Sequence, residues 1–440
     1  MLTRICLSLA ALLFAVPVWS QVEPAATVPP APDSDMQTPP PVNGQAYPTE
    51  TGSETRSNYL SAGLTIQTAY DNNVEPGATA KPVSDVSYLI LSTFSLDQST
   101  PRTHRTFSYN PGFTLYEPTS ALNAVNENAT VSYQYRLSPH ARISVRDSFV
   151  QASNVFDEPY GGVSGSTQAP VAAVVAPFAK QLSNAASGGL SYQFSMNGMI
   201  GASGTSSIFS YPDPAQAAGL PSSSNSRGGS AFYNLRLSSA QYIGMTYQYS
   251  YMLESLANAP SETRTHTLDF FYTLFLKDTL SLSVSGGPQH FNVVQSPLPA
   301  SASWTPAVTA SVGWQSSQTN LAASYSRTVS GAGGLVGAFH ATSANANASW
   351  RLARAWTGSA AASYTTQRNV LPAFVAPGQG GRSIQGTVSV QHPMGEHFTA
   401  GFGYAHIHQN FGGVAVISDA PDSDREYISI SYQFARPLGR

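Results

Sequence analysis

The sequence predicts an all-β protein: a transmembrane, antiparallel up-and-down β-barrel of about 18 strands, with about 16 strands as the alternative count. The first observation is the alternation of apolar and polar residues, as in Tyr247 to Tyr251, Leu280 to Val284 and Ile428 to Phe434. Successive side chains of a strand point to opposite faces, so each segment has one apolar face. The second is a charged content of only 10%, against roughly 25% in ordinary soluble domains. The third is how little helical periodicity lies between these segments.

Residues 1–20 predict a secretory signal peptide, because the basic Arg4 precedes an apolar core that runs from Leu7 to Val18. We expect cleavage after Ser20. Cys6, the single cysteine of the chain, lies inside this peptide. The mature protein is therefore predicted to have no disulfide bond and no thiolate metal site.

Residues 21–58 have a different composition, with eight prolines among alanine, threonine and acidic residues. Such a segment cannot bury a hydrophobic core, so we predict a disordered periplasmic segment. It would serve as a tether or, alternatively, as a docking peptide for a periplasmic partner. The barrel itself is predicted to occupy residues 59–440.

The connections between the predicted strands alternate in length. Those after odd-numbered strands are long, as at 72–83, 117–126, 153–185 and 211–228, whereas those after even-numbered strands are tight, as at Asn197-Gly198 and Lys277-Asp278. Outer-membrane barrels have short periplasmic turns and long external loops. The alternation therefore predicts an outer-membrane location with both termini on the periplasmic side.

Two charged residues do not fit the predicted apolar face. Asp147 shares the parity of Val145 and Phe149, and Arg327 shares that of Tyr325. A charge in the middle of the lipid face costs energy, but near the membrane surface it costs little. We therefore expect Arg327 near the outer rim, and a bulge, a short strand or a different register at Asp147.

The predicted polar face carries the candidate functional residues. The residues expected to point into the lumen and line the channel are Arg136, Arg142, Arg146, Arg236 and Asp269. A ring of basic side chains would favour anionic solutes. The alternative is that these charges neutralise one another and the few acids of the lumen.

The longest connection, 153–185, is predicted to be the third external loop. It contains an apolar run from Val171 to Phe178, which we expect to pack against the barrel interior. Asp157, Glu158 and Lys180 would then line a constriction. A flexible external loop or an oligomer contact is the alternative.

No catalytic motif is present, so neither an enzyme nor a cofactor is predicted. His406 and His408 share a strand face and could bind a metal, but histidines at a water interface are the simpler interpretation, and no metal site is predicted. The acidic residues near the end of the chain could bind a divalent ion or lipopolysaccharide through calcium, or form a solvated loop: Asp419, Asp422, Asp424 and Glu426. The net charge of −3 argues against a nucleic-acid partner.

The architecture resembles that of outer-membrane porins, whose third external loop often folds inward. The segment Ala69-Tyr70-Asp71-Asn72-Asn73-Val74 also resembles the opening strand of the β-barrel porins associated with exopolysaccharide export. Family members typically end on an aromatic residue; here Tyr432 and Phe434 are followed by six more residues, Ala435 to Arg440.

A barrel of about 18 strands would leave a water-filled lumen, which favours a passive channel for small polar solutes or for an exported polysaccharide. A non-conducting barrel that displays its loops as an adhesin or scaffold, and an outer-membrane hydrolase, are the alternatives. The expected partners are outer-membrane lipid, lipopolysaccharide and the solute, with a homo-oligomer as a further possibility.

Overall fold

A computed structural model describes residues 58–75, 81–152, 180–211, 223–255, 260–277, 279–295, 299–331, 338–353, 355–370, 380–412 and 422–438. These residues form 18 strands in one sheet, as the sequence predicted. The strands are β1 Tyr59–Asp71, β2 Asp85–Ser99, β3 Thr103–Tyr116, β4 Ala124–Arg136, β5 Ala141–Ala152, β6 Gln181–Gln193, β7 Gly198–Ser210, β8 Ser223–Ser238, β9 Gln241–Ser255, β10 Ser261–Lys277, β11 Leu280–Gln295, β12 Ser301–Gln315, β13 Thr319–Gly331, β14 Ala338–Arg351, β15 Thr357–Asn369, β16 Gly380–Met394, β17 Phe398–Gly412 and β18 Asp422–Pro437.

The sheet closes on itself through its first and last strands. Each strand pairs antiparallel with its neighbours in sequence, and β1 pairs with both β2 and β18. The β1–β18 register runs from Tyr59 opposite Pro437 to Asp71 opposite Arg425. The sheet that the described residues form is thus an up-and-down barrel without a free edge strand, which removes the unpaired edges that an open sheet would present.

The connections separate by length onto the two ends of the barrel. Those after even-numbered strands are tight: in the turn before Gly198, for example, the Phe194 N–H donates to the Gly198 carbonyl at 3.1 Å. Those after odd-numbered strands are long, and between β3 and β4 a short 3-10 turn, Ser120–Leu122, is formed. We call these the turn end and the loop end. The start of β1 and the end of β18 both lie at the turn end.

The outer face of the barrel is apolar. Large exposed hydrophobic side chains recur at every second position of most strands, for example Leu64 and Ile66 on β1 and Ile428 and Ile430 on β18. Such an apolar outer band is the surface that a membrane-spanning barrel presents to lipid. Among the described residues, no helix has the length and apolar character needed to cross a membrane.

The pairing between β12 and β13 stops about halfway along the two strands, counted from the turn end. β12 pairs with β11 along nearly its whole length, but its pairing with β13 ends at Val308 opposite Arg327. Closer to the loop end than Val308, Pro306 lies opposite Pro288 of β11. Because neither proline has an N–H, they can only form a non-hydrogen-bonded pair, and the backbone of Pro306 faces β13 with no donor. The ladder therefore ends where a donor is missing.

The loop-end part of β13 is bound by the side chain of Gln289 instead of by the backbone of β12. Gln289 Nε2 donates to the Val329 carbonyl at 3.1 Å, and the Val329 N–H donates to Gln289 Oε1 at 2.7 Å. Val329 and Ala338 pack in a buried cluster with Phe291 and Val293 of β11. The loop-end segments of β13 and β14 therefore lie against the inner side of β11.

Candidate functional site

The inner face of the barrel is the candidate site, because a barrel of this strand number is wide enough to hold water. Its residues are those that alternate with the exposed apolar ones. On β5, for example, Val145 is exposed and Ser148 is buried, so even-numbered residues of this strand point inward. The same reasoning applies to every strand whose two faces differ.

Arginines of β4 and β5 meet on this inner face near the turn end. Arg136 lies directly opposite Arg142 in the ladder, and Arg146 lies opposite Ser132. Directly opposite residues have Cβ atoms about 5 Å apart, so Arg136 and Arg142 place two positive charges side by side. All three arginines are partly exposed. Their charge is accessible to water inside the barrel.

Two further arginines have inward parity at the turn end. Arg236 alternates with exposed Leu237 on β8 and is also partly exposed. Arg351, at the end of β14, is exposed, and the sequence analysis missed it. The parity of Trp350 as an outward aromatic would have identified Arg351, since adjacent strand residues point to opposite faces.

Among the described residues, the acids of the inner face are buried or paired. Asp71 is 0% exposed and Arg425 is 3% exposed; Arg425 Nε donates to Asp71 Oδ1 at 2.5 Å and a second nitrogen donates to Oδ2 at 2.9 Å. Asp97 lies 3.3 Å from His104. Asp269, on β10, points inward and is 2% exposed. Among the inward residues that the structure describes, the charged side chains that water reaches are therefore mainly basic.

Asp269 lies in a strip of hydroxyl side chains that crosses β9 to β12. Thr246 is its direct partner on β9. The buried hydroxyl residues of the strip are Thr246, Ser261, Thr263, Thr265, Thr267, Thr273, Ser281, Ser283, Ser285, Thr305, Thr309 and Ser311. The side-chain oxygens Asp269 Oδ1 and Thr246 Oγ1 have no hydrogen-bond partner among the residues that the structure describes. The strip is a buried polar layer, distinct from the accessible arginines.

The predicted constriction is largely outside the described residues. Asp157 and Glu158 both lie there, so their positions stay predictions. Lys180 immediately precedes β6 and is partly exposed. Whether the long connection narrows the lumen stays a prediction.

The two outer-face charges have different explanations. At Asp147 the expectation of a bulge or another register is wrong, because β5 pairs with β4 and β6 without a register shift. The third expectation, a short strand, agrees with β5, which has 12 residues and is the shortest of the described strands. Asp147 points outward and accepts a hydrogen bond from Asn184 Nδ2 at 3.0 Å, which supplies one polar partner. Arg327 points outward and is exposed, in the loop-end half of β13.

His406 and His408 do share one face, and it is the outer face. His406 Nδ1 lies 2.7 Å from Asp424 Oδ1, and His408 Nδ1 lies 2.8 Å from Asp422 Oδ1. Each histidine thus has its own carboxylate on β18. The pairs join β17 to β18 at the loop end.

No family model matches the chain, and no curated protein sequence matches it. Several solved structures are similar. The ferric-catecholate import receptor Fiu from E. coli K12, in its open form, is 10% identical with a TM-score of 0.44, over 86% of this chain and 82% of that one. OccK2 (OpdF) from Pseudomonas aeruginosa is 10% identical with a TM-score of 0.42, over 86% and 98%. OpdQ from the same organism is 11% identical with a TM-score of 0.38, over 86% and 97%.

Proposed function

We propose that this protein is a passive outer-membrane channel for small polar solutes, with a preference for anions and with both termini in the periplasm. The observation that carries the proposal is the unequal accessibility of the inward charges. The inward arginines of β4, β5, β8 and β14 are partly or fully exposed, whereas Asp71 and Asp269 are buried.

Electrostatics gives the expected size of the preference. A unit charge about 4 Å from an anion contributes about 1 kcal/mol in bulk water, and more beside a low-dielectric wall. Salt at physiological ionic strength screens part of this interaction. Because about 1.4 kcal/mol is a factor of ten, a total of about 1 kcal/mol after screening gives a preference of about fivefold.

Single-channel recording in a planar bilayer tests the proposal. Under a potassium chloride gradient, the reversal potential of the wild-type channel should show a preference for chloride over potassium. The double variant Arg136→Gln/Arg142→Gln should lower this chloride preference by several-fold. The matched control is Arg105→Gln/Arg264→Gln. These two arginines point to the outer face of the barrel, where their guanidinium groups lie over the rings of Tyr133 and Tyr251. The control should conduct like the wild type.

Two results would reject the proposal. Correctly folded protein that never conducts would favour a display barrel, and cation preference would remove the role of the arginines. Blockade of the current by an added neutral or anionic oligosaccharide would separate a polysaccharide path from one for small solutes only.

A further inference from the structure

The loop-end part of β12 lies beside a strand with which it does not pair. Val308 is the last residue of β12 that pairs with β13, and its partner is Arg327. If the same antiparallel register continued toward the loop end, Pro306 would lie opposite Val329; we call this the continued register. Because alternate residues of a strand direct their backbone groups to the same neighbour, Trp304 faces β13 as Pro306 does.

Pro306 makes the continued register unfavourable. In that register Pro306 and Val329 would form a hydrogen-bonded pair, in which each residue donates its N–H to the carbonyl of the other. Proline has no N–H, so the Val329 carbonyl would receive no hydrogen bond from β12. A carbonyl without a donor in the wall of a membrane barrel is costly, since lipid offers no replacement.

Gln289 supplies the donor that Pro306 lacks, and an acceptor as well. Its side chain points inward from β11 and is buried. Gln289 Nε2 donates to the Val329 carbonyl at 3.1 Å, and the Val329 N–H donates to Gln289 Oε1 at 2.7 Å. The side-chain amide therefore satisfies both backbone groups of Val329 on the inner side of β11, away from the edge of β12.

Apolar packing favours the same arrangement. The inward residues of β11 in its turn-end half are buried serines, whereas those near the loop end are Phe291 and Val293. Val329 and Ala338 pack on these two apolar side chains, and all four residues are buried. The continued register would remove Val329 from this cluster and turn apolar surface of β11 toward the water of the lumen.

The arrangement narrows the barrel at its loop end. β13 lies over β11 there instead of beside β12, which removes about two strand spacings from the circumference. Of the 18 strands, about 16 then set the width of the loop-end opening. Because barrel diameter grows about linearly with strand number, an opening of 18 spacings would have about 1.3-fold the area of one with 16.

We propose that Gln289 is a specificity-determining residue: it holds Val329 on the inner side of β11 and so sets the largest solute that the loop-end opening admits. This inference rests on the proposed channel function and adds a size limit to it. Pro306 acts together with Gln289, since it removes the donor that β13 needs in order to pair with β12 along its full length.

Amide hydrogen exchange of the folded full-length chain tests the position of β13 without requiring conduction. In Gln289→Leu/Pro306→Ala, the amides of Ala302 and Trp304 gain partners on β13, so they should exchange at least about tenfold more slowly than in the wild type. The matched control is Pro288→Ala, because Pro288 lies opposite Pro306 and directs its backbone toward β10. These two amides should exchange in the control as in the wild type.

A milder variant guards against loss of folding, which heat-modifiable electrophoresis detects. Pro306→Ala alone keeps Gln289 and supplies the missing donor, so it should slow the same exchange by a smaller factor. Unchanged exchange at Ala302 and Trp304 in the folded variants, or an equal effect of Pro288→Ala, would overturn the proposal.

Single-channel recording with neutral polymers of graded size measures the opening itself. The double variant should conduct at least about 1.3-fold more than the wild type and admit larger polymers, and Pro288→Ala should do neither. An unchanged size limit despite slower exchange would overturn the role of Gln289 in specificity. Absence of conduction in every folded variant would reject the channel, and with it the size limit, whereas the exchange measurement would still decide where β13 lies.

Discussion

Breaking the ion pair between Asp71 and Arg425 should destabilise the barrel more than breaking an exposed pair. The two side chains join β1 to β18 inside the barrel, where they are 0% and 3% exposed. Asp71→Asn keeps the size of the side chain but removes its charge, which leaves the buried guanidinium without a counter-ion. Losing one member of a buried pair costs about 3–5 kcal/mol.

The measurement is the free energy of unfolding in urea, followed by tryptophan fluorescence in lipid vesicles and extrapolated linearly to zero denaturant. Glu262→Gln is the matched control, because its partner Arg264 is 54% exposed. An exposed pair is worth about 0–1 kcal/mol. The double variant Asp71→Val/Arg425→Met removes both charges, so it should recover most of the stability lost by Asp71→Asn.

Two outcomes would refute this reasoning. If Asp71→Asn and Glu262→Gln lose the same small amount, the burial of the pair has no energetic consequence. If the double variant is as unstable as the single one, the uncompensated charge is not the cause of the loss.

Two further substitutions test the packing and the outer face of the wall. A Cβ atom on Gly287 would overlap the carbonyl oxygen of Leu268 on the neighbouring strand, so Gly287→Ala should lower the free energy of unfolding by about 1–3 kcal/mol. In the control Gly386→Ala the added Cβ meets nothing within 4 Å, so stability should change by less than about 0.5 kcal/mol. Equal losses of the two variants in urea unfolding would contradict the close approach at Gly287. Asp147→Leu should raise the unfolding free energy in vesicles by up to about 2 kcal/mol, because a lipid-facing carboxylate is removed; a loss would show that its hydrogen bond with Asn184 outweighs that gain.

Much of the architecture could be predicted because it depends on local patterns. The alternation of Leu280 to Val284 determines which side chains share a face, whichever neighbour the strand pairs with. Short turns join adjacent antiparallel strands, and successive strands of such a sheet run in opposite directions, so connections after odd-numbered and even-numbered strands lie at opposite ends of the barrel. The strand number and the separation of long from short connections therefore follow from the order of residues along the chain.

The misjudged features depend on partners that are distant in sequence. Asp147 was expected to disturb its strand, but Asn184 of β6, beyond a long connection, provides its partner. Arg351 is different, because the outward parity of its neighbour Trp350 is enough to identify it from the sequence. Accessibility, which distinguishes the basic residues from the buried Asp269, requires the closed wall.

The sequence by itself determined the two-faced strands, the parity of the connections and the absence of acids from 279 to 395. Each is a property of neighbouring residues or of composition. The tertiary structure decided that Asp71 meets Arg425 across the closing seam and that Gln289 replaces a missing ladder bond at Val329. These contacts join residues up to 354 positions apart, and only the register of a closed sheet specifies which of them meet.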